Sequence, residues 1–118
     1  MSVIESIRWS DDGSAVRIID QRRLPAAEVY RDLRSVEDVR DAIATLAVRG
    51  APAIGIAGAM GMVLAVDEAK RAGIDPMAHL RVAHDTIRRA RPTAVNLAWA
   101  VDRVMDVATE ATARGLDL

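Results

Sequence analysis

The sequence predicts an α+β fold, mainly helical: a small N-terminal antiparallel β meander followed by a bundle of about four helices. Three observations carry this reading. β-branched runs separated by a strong turn signal occupy the first third of the chain. At Ser35 the apolar spacing changes from alternate residues to steps of three and four. Beyond Ser35, Pro52, Pro76, Gly73 and Gly115 stand where helices begin or end. The 118 residues suit one domain, divided into a β subdomain over 1–34 and a helical bundle over 35–118.

The elements follow in order. Val3, Glu5, Ile7 and Trp9 alternate with Ile4, Ser6 and Arg8, as a first strand requires. Ser10-Asp11-Asp12-Gly13-Ser14 then turns the chain, because Asp-Gly accepts positive φ. Ala15 to Asp20 carries the β-branched run of a second strand, Leu24-Pro25 breaks it, and Glu28 to Leu33 forms a third. Such a small sheet is marginal alone and must pack on something larger.

Ser35 is an N-cap, and Val36, Val39, Ala42, Ile43, Leu46 and Ala47 mark the apolar face of a helix of about 13 residues. Gly50 is its expected left-handed C′ residue. Pro52 opens the next helix, Ala53 to Arg71, with Gly73 ending it. Its first half is apolar on every side, so it is the central, buried element. The uncharged run Ala51 to Val66 is short for a membrane span. Gly55, Gly58 and Gly61 line a narrow groove where another backbone can approach. Asp75-Pro76 starts a third helix with Met77, Leu80, Ala83, His84 and Ile87 inward, ending near Ala90 ahead of Pro92. Thr93 caps the last helix, Ala94 to about Ala113, with Val95, Leu97, Ala98, Val101, Val104, Met105 and Ala108 on its apolar face.

Composition removes several function classes. Formal net charge is −1, from 16 basic and 17 acidic residues, so nothing draws the chain to nucleic acid or to an anionic membrane. Without cysteine there is no disulfide, thiolate nucleophile or thiolate metal site. No phenylalanine is present, so the core is aliphatic and alanine-rich. Lys70 is the only lysine; every other basic residue is arginine. The opening MSVIESIRWS has neither a basic start nor an apolar run, so no secretory signal is expected and the cytoplasm is the expected compartment. His79 and His84, five apart, share no helical face cleanly, and no metal pair is expected. Asp11-Asp12 is a turn, and the methionines are core fillers. Trp99 belongs to the core or to an interface.

Two segments point to chemistry. In Val48-Arg49-Gly50-Ala51-Pro52-Ala53-Ile54-Gly55, an Arg and a Gly lead into a helix start that no Ser, Thr, Asp or Asn caps. The first N–H groups of a helix have no internal partner and carry partial positive charge, so an anion fits there and Arg49 can fork onto it. The alternative is that Gly50 only turns the chain and Arg49 is solvated. Arg91-Pro92-Thr93-Ala94-Val95-Asn96-Leu97 repeats the pattern. Two such junctions can converge on one phosphate, or Arg88, Arg89 and Arg91 simply complement the negative end of the preceding helix.

Both segments resemble motifs of the methylthioribose-1-phosphate isomerases. Val48 to Ala57 is similar to the family's RGAPAIG segment, and Arg91 to Leu97 to its second N-terminal motif. Ile7-Arg8-Trp9, Ile19-Asp20-Gln21 and Leu24-Pro25 fit as well, in order and spacing. The resemblance implies an aldose–ketose isomerase of methionine salvage, converting 5-methylthioribose 1-phosphate to 5-methylthioribulose 1-phosphate without metal or organic cofactor. It implies that Arg49, Gly50, Ala51 and Arg91 contact the substrate phosphate. It also implies a second, Rossmann-like domain holding a catalytic Cys and Asp, which these 118 residues do not contain. A phosphate grip binds and orients, but it cannot move hydrogen between C2 and C1. The chain alone is therefore expected to be inactive.

Two other readings stand beside this one. In a split isomerase, a separate chain would dock on the glycine groove and Trp99. In a non-catalytic assembly module, the relationship would be to regulatory subunits of the eukaryotic initiation-factor exchange complex. Archaeal ribose-1,5-bisphosphate isomerases are near neighbours with another sugar phosphate. A homodimer, or pairing with a catalytic domain, is expected wherever apolar surface stays uncovered.

Overall fold

The computed structural model describes residues 7–118. Strands β1 (Ile7–Trp9), β2 (Val16–Ile19) and β3 (Tyr30–Leu33) precede helices α1 (Val36–Ala44), α2 (Ala51–Ala72), α3 (Pro76–Arg88) and α4 (Val95–Ala113). The α+β, mainly helical class and the order meander-then-bundle are those the sequence predicts. Residues Val3 to Ser6 of the expected first strand lie outside the described residues.

The sheet has the order β1-β2-β3, antiparallel throughout. Trp9 stands opposite Val16, and Val16 opposite Leu33. Alternation along β2 sends Val16 and Ile18 into the core. On the other face Arg17 meets its cross-strand partner Asp32 through Nε and Nη2, at 2.8 and 3.1 Å. The 10–14 turn is held by Asp12, whose carboxylate accepts from the hydroxyls of Ser10 and Ser14 and from the Ser14 N–H. No metal-binding group of carboxylates or histidines occurs among the described residues.

After β2 the chain passes through Asp20, whose side chain is fully buried. Its carboxylate accepts from the Arg22 N–H, from Arg22 Nε and Nη2, and from Arg31 Nε, at 2.7–3.0 Å. Burial of a charge is tolerated here because both oxygens are bonded to guanidinium groups.

In the bundle, α2 is the central element and packs on α1, α3, α4 and the sheet. It is the one described helix long and apolar enough to cross a membrane by length and composition. Its packing among three other helices assigns that apolarity to the core. The strip Gly55, Gly58, Gly61 is filled from inside the molecule. A Cβ at Gly58 would meet Leu97 Cδ1 and Val101 Cγ1, and one at Gly61 would meet Ile87 Cδ1 and Val39 Cγ1. Only Gly55 faces a backbone, that of Asn96. The groove is thus not free for a separate chain, which removes half of the docking surface expected for a split enzyme.

These contacts fix the helix directions. Gly55 meets Asn96 and Gly58 meets Val101, so α4 runs parallel to α2. Val39 meets Gly61 while the Val36 N–H donates to Glu68 Oε1 at 2.7 Å, so α1 is antiparallel. Ile87 meets Gly58 while His79 Nε2 lies 2.9 Å from Glu68 Oε2, so α3 is antiparallel too. Lys70 lies in the last turn of α2, away from the end where α2 and α4 begin.

Several expectations need correction. The first helix covers nine residues rather than about 13. It ends ahead of Leu46, whose left-handed φ breaks the i→i−4 series: the Leu46 N–H bonds to the Ile43 carbonyl and the Val48 N–H to that of Ala42. Leu46, at φ 66, then turns the chain so that the Ala47 carbonyl can accept from the Gln21 N–H. Gly50 is therefore not the C′ residue of α1 but the N-cap of α2, at φ 90 and ψ 133, a conformation that suits only glycine. Thr93 does not cap α4; it sits in a turn closed by the Ala94 N–H and the Arg91 carbonyl, and Ala94 takes the cap position. Three residues assigned to apolar faces also differ: Leu46 and Val95 are exposed, and His84 is a half-buried polar link, 2.6 Å from Asp102. The caps expected at Ser35 and Asp75 are present, accepting from the Asp38 and Ala78 N–H groups.

Candidate functional site

Because α2 and α4 are parallel, both begin at the same end of the bundle. Neither start has a side-chain cap. The first N–H groups of both helices are therefore open to a ligand, and the two dipoles present their positive ends together. Gly50 contributes no Cβ at the entrance to α2, so the backbone there is accessible from the cleft.

A cleft of about 280 Å³ opens between these two starts. Gly50, Ala51 and Ile54 form its α2 side, and Ala94, Val95, Asn96 and Leu97 its α4 side. Arg91, from the turn before α4, completes the wall. Its neighbours are engaged elsewhere: Arg89 Nε bonds to Asp85 at 3.0 Å, and Arg88 Nε stands 3.3 Å from Asp102. Asp102 also bonds to His84, and that bond, helped by Arg88, holds its carboxyl below the ordinary carboxylate range. The α3–α4 junction thus uses two of the three arginines for structure and leaves Arg91 on the cleft.

Of the residues singled out from sequence, Gly50, Ala51 and Arg91 come together here. Arg49 does not line the cleft; it is exposed, and its Nε donates to the Leu46 carbonyl at 3.1 Å. Ile54, Asn96 and Leu97 were not foreseen as lining. The only signal for them was the close repeat of an Arg-to-helix junction in both segments. At about 280 Å³ the cleft falls just below the ~300–1,000 Å³ that enclose whole ligands. Its open N–H groups, glycine entrance and single guanidinium suit an anionic head group. No side chain on its wall is an acid or base that could move a proton.

Beside the cleft lies an apolar hollow bounded by Pro52, Ile56, Trp99 and Ala100. Trp99 is 68% exposed on its rim, so it is not a core residue.

Residues 47–116 match the Initiation factor 2 subunit family. The methylthioribose-1-phosphate isomerase of Gemmatimonas aurantiaca is 50% identical over 107 residues, covering 89% of this chain and 31% of the relative. Among solved structures, the 5-methylthioribose 1-phosphate isomerase of Pyrococcus horikoshii OT3 superposes with a TM-score of 0.82 at 31% identity, over 92% of this chain and 30% of that one. The delta subunit of translation initiation factor eIF-2B from A. fulgidus is similar too, with a TM-score of 0.76, 39% identity and coverage of 92% and 31%. The chain thus spans about 30% of the length of these relatives.

Proposed function

The chain belongs to the Initiation factor 2 subunit family, and on that footing we propose that it is the N-terminal part of a methylthioribose-1-phosphate isomerase, supplying the grip on the substrate phosphate. The observation that carries the proposal is the convergence of two uncapped, parallel helix starts and Arg91 on one cleft. Gly50 and Ala51 offer backbone to the phosphate, and Arg91 a forked guanidinium. Arg49 joins by swinging from the Leu46 carbonyl, a single exposed bond. The sugar would extend out of the cleft toward groups that this chain does not hold, and the chemistry would take place there. The relatives named as this isomerase support the substrate class. Within the same reading, residues 1–34 and 35–118 act as one N-terminal domain. The Trp99 face would meet a second copy or a catalytic portion, and the setting would be cytoplasmic.

The test is calorimetric titration with methylthioribose 1-phosphate, with turnover assayed in the same samples. Wild type is expected to bind saturably without turnover. Arg91→Ala is expected to weaken binding about tenfold or more, the usual worth of a hydrogen bond to a charged group. Arg49→Ala should cost less. Turnover by the 118 residues would overturn the expected inactivity. The likeness to the A. fulgidus subunit favours a second reading, a non-catalytic assembly module. That reading takes precedence if the folded chain binds no sugar phosphate.

A further inference from the structure

We infer that Gly55 is a positioning residue for this cleft: lacking a Cβ, it lets the first turn of α4 settle onto the first turn of α2, and so sets the spacing of the two helix starts. The inference rests on the reading of the cleft as a phosphate site.

A Cβ built on Gly55 would stand 3.1 Å from the Asn96 carbonyl oxygen, 3.6 Å from its carbon and 3.6 Å from Ala100 Cβ. Two of these three atoms are backbone, so no side-chain rotation relieves the contact. Asn96 is the second residue of α4 and lies on the cleft wall. Any movement that makes room for the Cβ therefore shifts the open N–H groups of Val95, Asn96 and Leu97. Glycine in a helix is otherwise disfavoured relative to alanine, and at this ordinary helical position its torsion angles do not require it. The close approach of α4 is the remaining reason for it. Gly61 differs. The atoms that crowd it belong to the side chains of Ile87 and Val39, inside the core and off the cleft wall. A Cβ there disturbs packing and not, directly, the helix starts. An anion held between two helices needs donors from both within hydrogen-bond distance, and a few tenths of an ångström decides that.

The experiment titrates inorganic phosphate into the 118-residue chain and into Gly55→Ala, Gly61→Ala and Arg91→Ala, with a thermal melt of each. Gly55→Ala is expected to weaken phosphate binding about five- to tenfold, within the worth of one ordinary hydrogen bond. Its melting temperature should hold, because alanine favours the helix. Gly61→Ala is expected to do the reverse: a lower melting temperature and unchanged affinity while folded. A purely structural Gly55 would move the melt and leave the affinity of the folded protein alone. If Gly55→Ala binds as wild type while Arg91→Ala does not, the positioning role fails and the site stands. If wild type binds no phosphate, or Arg91→Ala binds equally well, the site fails and the inference with it. Amide NMR of wild type gives a check that needs no variant to fold. Phosphate should shift the first-turn amides of both α2 and α4, and a response from one helix alone overturns the inference.

Discussion

Asp20 shows how far a single side chain can direct the chain around it. Its buried carboxylate gathers Arg22 and Arg31, and the next N–H, that of Gln21, bonds to Ala47 just ahead of the cleft. Loss of the carboxylate leaves two guanidinium groups facing a buried position. Asp20→Ala is expected to cost about 2–3 kcal/mol, below the usual cost of breaking a fully buried pair because both arginines are partly exposed; urea unfolding measures it. The bonds from Arg22, and then Arg31, hold the Asp20 carboxyl well below the ordinary range. Arg17 does the same for Asp32. Both groups are depressed in the fold, so the stability they add is complete above the unfolded-state value near ~4 and is lost as pH falls below it. Wild type should therefore lose stability progressively below about pH 4, and Asp20→Asn should lose less over that interval. None of this was legible in the sequence beyond the resemblance of Ile19-Asp20-Gln21 to a family segment, because the partners of Asp20 are set by the strand register. Arg91 was legible as a site residue by its place before a helix start. Arg49 looked equivalent by that criterion, but the turn at Leu46 faces it elsewhere.

Helix starts divide into two kinds. Those of α1 and α3 are closed by Ser35 and Asp75, while those of α2 and α4 are left open at Gly50 and Ala94. Ser35→Ala should lower stability by about 1 kcal/mol, the usual worth of such a cap, in the same unfolding experiment. Ala94→Asp should act in the opposite direction, adding about 1 kcal/mol by capping α4. Its carboxylate would occupy the N–H groups offered to the anion, so phosphate affinity should collapse as the melting temperature rises. Element types and order were readable from spacing, since period and punctuation are local. Boundaries failed where a distant partner intervened: α1 stops early so that Ala47 can meet Gln21. At α4, Thr93 was spent on a turn.

Over the whole molecule, parallel packing of α2 and α4 gathers the open helix starts at one end. Ile56, Val95 and Trp99 lie exposed around that end. In a Trp9→Phe variant, which leaves Trp99 as the one tryptophan, fluorescence should be readily quenched by acrylamide, and quenching should fall when the chain is joined to whatever covers this face. Equal quenching in both states would place the interface elsewhere. Parallelism itself was not visible in the sequence. The glycine spacing foretold one close backbone approach, but not which helix makes it or in which direction.

The solitary lysine has a practical corollary. Lys70 stands 19 residues beyond Ala51 on the same helix, about 28 Å at 1.5 Å per residue. Apart from the α-amino group, amine coupling has nowhere else to go. A chain tethered to a sensor chip through Lys70 would stand with its cleft directed outward into the flowing buffer. Every copy held through Lys70 would present the same end to the analyte.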